Sequence, residues 1–103
     1  NLINSPVRFY RNTELLNECF DKLGPWLVSC HAKDLTWDVE MQVHFREVVI
    51  GSGSLDYATY LRRLAALAGD VPLMIEHMKS PAEYDQSRAR LLEVAREVSV
   101  SFG

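Results

Sequence analysis

An apolar run, Trp26-Leu27-Val28-Ser29-Cys30, breaks off into His31-Ala32-Lys33-Asp34, and no other stretch constrains the chain as much. A short apolar run of this kind reads as a buried strand. A packed strand that finishes in His-x-Lys-Asp has to open onto solvent or onto partners, because charged groups are costly to bury alone. A second run, Leu73-Met74-Ile75, ends in the same way with Glu76-His77. Two strand ends, one offering a histidine and the other a glutamate, are the main chemical resource of the sequence.

Between and around these runs the pattern alternates with helices. Leu15, Leu16, Cys19, Phe20 and Leu23 form one helical stripe over residues 13–23, with Asn12 or Thr13 as its cap and Gly24-Pro25 as its stop. The segment before it, through Asn12, reads as a loop. Pleat alternation over residues 26–31 puts Trp26, Val28 and Cys30 on one face, and Leu27, Ser29 and His31 on the other. Val39, Met41, Val43 and Phe45 alternate with Glu40, Gln42, His44 and Arg46, which predicts a strand or extended excursion continued by Val48-Val49-Ile50. A helix over 55–68, stopped by Gly69, buries Tyr57, Tyr60, Leu61, Leu64 and Leu67. A strand follows over 71–78, with Glu76 on the Met74 and Met78 face and His77 on the opposite, structural one. Ser80-Pro81-Ala82-Glu83 then joins an N-cap serine, a proline at the first helical position and a capping-box glutamate. That helix runs to about residue 98 and buries Tyr84, Leu91, Val94, Ala95 and Val98. Helix, strand, helix, strand, helix is an α/β order with parallel strands.

A chain of 103 residues makes one domain, not two. Its 48% apolar and 24% charged residues fit an ordinary globular protein. A net charge of -3 argues against a nucleic-acid or anionic-membrane partner, which demands a basic face, and no apolar run is long enough to span a bilayer. Cys19 and Cys30 fall in a helix and a strand, not in a cysteine-dense framework, so they read as reduced and structural in a cytoplasmic setting.

Taken in order, His31-Ala32-Lys33-Asp34, then Gly51-Ser52-Gly53-Ser54-Leu55-Asp56-Tyr57, then Ile75-Glu76-His77 resemble the C-terminal portion of the sugar phosphate isomerase/epimerase family, the xylose-isomerase-like TIM barrels. The resemblance implies that residues 1–103 are a single domain matching the last third of a (β/α)8 barrel. The fold expected is a partial (β/α) barrel fragment with two or three mostly parallel strands and three helices. A complete barrel takes roughly 250 residues, so such a fragment is too short to close alone. It also implies a divalent metal (Mn, Mg, Co or Zn) held by His31 and Glu76, with Glu76 catalytic and Lys33, Asp34 and Arg46 touching a small sugar or sugar phosphate. Asn1 would fall where a family motif carrying another ligand ends, and two of the family's four metal ligands would then lie ahead of this sequence. A truncated relative of this kind lacks a complete active site on its own. Open sheet edges predict a homo-oligomer, most simply a dimer. The competing reading is a non-catalytic oligomerising or interaction domain.

Each of these residues also has a plainer role. His31 can be a core-edge histidine satisfied by a backbone carbonyl. Glu76 needs a metal, solvent, or a cation such as Lys33 or Arg46. Lys33 and Asp34, each taken singly, read more simply as solvated loop charges. The Gly51-x-Gly53 turn ahead of a helix offers N–H groups to a phosphate, or only permits a tight turn.

Overall fold

A computed structural model describes residues 2–103. Their order is helix α1 (Pro6–Tyr10), helix α2 (Asn12–Leu23), strands β1 (Cys30–Ala32), β2 (Asp34–Val39) and β3 (Val43–Val48), helix α3 (Tyr57–Ala65), strand β4 (Leu73–Ile75) and helix α4 (Pro81–Glu97). The result is a small mixed α/β domain with open sheets. Strands β1 and β4 pair in parallel, with Cys30 opposite Leu73, His31 opposite Met74 and Ala32 opposite Ile75. Strands β2 and β3 form a separate antiparallel hairpin in which Trp37 faces Phe45 and Leu35 faces Glu47. The mostly parallel sheet is therefore corrected to one parallel pair beside a hairpin, and the three helices to four among the described residues. Asn1, which the family motif would have involved, lies outside them.

The segment read as a loop ahead of residue 13 contains α1. Ser5 caps it by accepting the Arg8 N–H, and Pro6 occupies its first turn. Its job is to hold the hairpin. Phe9 is buried against Phe45 and Trp37, with ring centroids 5.8 and 6.2 Å away, and Tyr10 meets Trp37 edge-on at 5.8 Å. Asn12 turns out to be the first residue of α2, not its cap. Its buried amide donates to the carbonyls of Phe9 and Ser54, and its oxygen accepts the Asp56 N–H, all at 2.8 Å. One side chain thus ties α1, α2 and the entrance of α3 together.

The strand expected over 26–31 is shorter than its apolar run. Gly24-Pro25 carries the end of α2 into a 3₁₀ turn that includes Trp26, so the pleat begins only at Cys30. Trp26 and Val28 are consequently exposed, at 75% and 82%, instead of packing with Cys30. The parallel ladder runs from Pro72, whose carbonyl accepts the Cys30 N–H, to Glu76, whose N–H donates to Ala32. His77 then takes a φ of +62°, a left-handed conformation that ends the strand. Helices α2, α3 and α4 cover this pair, and Phe20, Tyr60, Leu61, Leu91 and Val94 meet Cys30 and Ala32 in the core.

The last helix matches its sequence signature. Ser80 Oγ accepts the Glu83 N–H, whereas the Glu83 carboxylate reaches back one residue further, to the Lys79 N–H. Leu91, Val94 and Ala95 are buried as their spacing implies, while Tyr84 stays 40% exposed.

Candidate functional site

Position 33 leaves β1 and position 47 nears the end of β3, so the first crossing between the parallel pair and the hairpin brings two charged side chains together. The Lys33 ammonium sits 3.2 Å from Glu47 and 3.2 Å from Glu76, with its side chain only 13% exposed. On one flank His31 Nδ1 lies 2.7 Å from Glu76 Oε2. On the other, His77 Nδ1 lies 2.7 Å from Glu47 Oε1, and 3.5 Å from Lys33. The other ring nitrogen of His77 is 3.7 Å from Glu76 Oε2. The cluster is therefore two histidine–glutamate pairs arranged around one ammonium.

The backbone explains why these side chains meet. His31 and Glu76 stand at the same ends of adjacent parallel strands, which is where a parallel sheet presents functional groups. The carbonyl of His31 accepts a 2.9 Å bond from Tyr60, a buried phenol on α3, and so its position is tied to the core. Glu47 shares a pleat face with Phe45 and Val43, toward the core side of the hairpin, while Arg46 points the other way. His77 reaches the cluster because its left-handed backbone departs from strand alternation. The expectation that His77 faces away from Glu76 is overturned for this reason.

Electrostatics favour ionised carboxylates. Burial would raise the Glu76 carboxyl, but hydrogen bonds from Lys33 and His31 outweigh it and hold it below the usual carboxylate range. Glu47 is lowered too, first by its hydrogen bond with His77 and then by Lys33. A carboxylate held ionised in this way is a better ligand or hydrogen-bond acceptor than a proton-abstracting base.

The remaining expected site residues go elsewhere. Asp34 does not stand at the strand exit: it is 1% exposed and turned inward. Its Oδ2 accepts the N–H groups of Gly51 and Gly53, and its Oδ1 those of Leu35 and Leu55. The backbone donors of the Gly51-x-Gly53 turn, which a phosphate would have needed, thus already hold an anion belonging to the chain itself. A side chain at Gly53 would overlap both Asp34 Oδ1 and the Leu35 carbonyl, which is why glycine stands there. Arg46 pairs with Asp38 across the outer face of the hairpin, at 3.3 Å, and makes none of the cluster's contacts.

His31 and Glu76 have the chemistry of metal donors. Two ligands on adjacent corners of an octahedral ion bound at about 2.1 Å are ~3.0 Å apart. Their 2.7 Å separation is close to that edge. Among the described residues no three histidine, cysteine, aspartate or glutamate side chains converge in an arrangement that could hold a metal.

Neither Glu47 nor His77 was expected in the cluster from the sequence. Glu47 had a signal, since it follows Val43 and Phe45 on the apolar parity of β3. His77 had none, because a left-handed turn in a non-glycine residue is not written in alternation. Set against protein-family models, curated proteins and solved structures, the chain matches none of them.

Proposed function

We propose that this chain is a relative of the metal-dependent sugar (phosphate) isomerases and epimerases, contributing part of an active site. The observation that carries the reading is the His31–Glu76 pair at neighbouring parallel strand ends, 2.7 Å apart. Glu76 and His31 would hold a divalent ion, with further ligands supplied by groups outside these residues or by a second copy. Such an ion, when bound, polarises the carbonyl of a hydroxy-carbonyl substrate. Lys33, held between two carboxylates, would donate a hydrogen bond to a substrate oxygen. A barrel origin would suit the parallel β1–β4 pair, which is joined through the β2–β3 hairpin and α3, since a parallel β–α–β unit is the repeating element of that fold.

Titration with Mn2+ or Co2+, followed by elemental analysis of the desalted protein, tests the proposal. Retention of metal by the wild type, and its loss in both His31→Ala and Glu76→Ala, is expected. Failure of the supplemented wild type to bind any of Mn, Mg, Co or Zn would remove the reading.

A second reading, a non-catalytic oligomerising domain, is favoured by one observation. Val39 and Met41 stand 91% and 103% exposed about the turn of an open hairpin. Light scattering decides it: a monomer across the micromolar range excludes self-association as the function.

A further inference from the structure

The space beside the cluster is largely apolar. A cavity of ≈ 300 Å³ runs between α2 and β1, walled by Leu15, Leu16, Cys19, Phe20, Leu27 and Leu55. His31, Lys33, Glu76 and Tyr60 also line it. A larger cleft of ≈ 680 Å³, between the α3–β4 loop and the C-terminal tail, touches none of the cluster's side chains. An apolar pocket closed by a few convergent polar groups is the usual form of a small-molecule site, and ≈ 300 Å³ is at the small end of that range.

We infer that the site takes a neutral, amphipathic molecule: a vicinal diol or hydroxy-carbonyl head on a short apolar body. This rests on the proposed isomerase-like site and names its ligand. The head follows from charge. Lys33 donates and Glu76 accepts, so a group carrying both a hydroxyl and a neighbouring oxygen satisfies both. An anionic head meets Glu47 and Glu76, and a cationic one meets Lys33. The body follows from the walls. A polyol lying against Leu16, Phe20 and Leu55 would surrender water from each hydroxyl without a replacement partner, whereas methylenes gain by leaving water.

The test is a series of vicinal diols from propane to hexane, titrated into isotopically labelled full chain, with xylose alongside. Affinity should tighten about fourfold per added methylene, the equivalent of about 0.8 kcal/mol. Amide shifts should concentrate at Leu15, Leu16, Cys19 and His31. Leu16→Asn should flatten the series, while Leu16→Met, of similar volume, should keep its slope and so exclude a folding artefact. Either Leu16 variant should leave the Mn2+ titration unchanged, which separates this inference from the metal reading. A flat series in the wild type, xylose binding more tightly than the hexanediol, or a second copy of the chain filling the cavity at working concentration would each overturn it. A steep diol series in protein that binds no metal would uphold this inference while removing the metal.

Discussion

Replacing Asp34 should do more damage than any other single polar substitution in the chain. Its carboxylate is almost fully buried and accepts four backbone N–H groups at 2.9–3.1 Å. No cation pairs with it among the described residues, so those N–H dipoles alone hold the charge. Three of the four donors are non-local and close the loop that joins β3 to α3. Hydrogen bonds to a charged group are worth about 1.5–3 kcal/mol each, and a buried donor left without a partner costs about 1–3 kcal/mol. Because Gly51 is exposed, water recovers part of this, so Asp34→Ala should lose about 3–5 kcal/mol. Domains of this size have a total of about 5–15 kcal/mol, so the variant sits near its unfolding threshold. Asp34→Asn keeps one accepting oxygen but turns an NH2 toward two donors, and should lose about 2–3 kcal/mol. Urea unfolding followed by circular dichroism measures both, and a slope of about 2 kcal/mol/M places the Asp34→Ala midpoint about 2 M below wild type. A loss under about 1 kcal/mol for Asp34→Ala, the range of ordinary surface changes, would refute the argument. So would an Asp34→Asn variant as stable as wild type.

Two further outcomes follow from the same geometry. Glu76 and Glu47 both titrate below the usual range when folded, so the unfolded chain binds protons more readily. The stability they contribute is complete above the unfolded value of about 4.3 and is lost as pH falls through their lowered folded values. Glu76→Gln should therefore flatten the acid limb of stability against pH, and a limb identical to wild type in urea midpoints between pH 3 and 7 would contradict this. Phe9→Ala should free the hairpin from α1 at a cost of about 3–4 kcal/mol, with Trp37 emission shifting to the red while exposed Trp26 stays a constant background. An unchanged emission maximum would mean that the aromatic cluster does not hold the hairpin.

Local chemistry decided the features that were readable from the residues alone. Ser80-Pro81 starts α4 because the cap and the proline act within one turn, and the stripe of Leu15, Leu16, Cys19, Phe20 and Leu23 makes α2 because the helix period is intrinsic to the backbone. His31 and Glu76 were legible as strand-end groups for the same reason, and the structure does bring them together. What alternation could not supply was where it begins and stops. A 3₁₀ turn delays β1 by several residues and exposes Trp26 and Val28, and a left-handed His77 ends β4. Both are backbone choices that only the surrounding packing enforces. Asp34 shows the limit most sharply. In sequence it stands next to Lys33 as a second polar residue at a strand end. In the fold the chain turns at that point, so that one charge enters the cluster while its neighbour is drawn inward by the amides of a loop up to 21 residues away. The residues capable of chemistry were determined by the sequence, but their division between site and scaffold was decided by tertiary contacts, because the partners that satisfy a buried charge are distant along the chain.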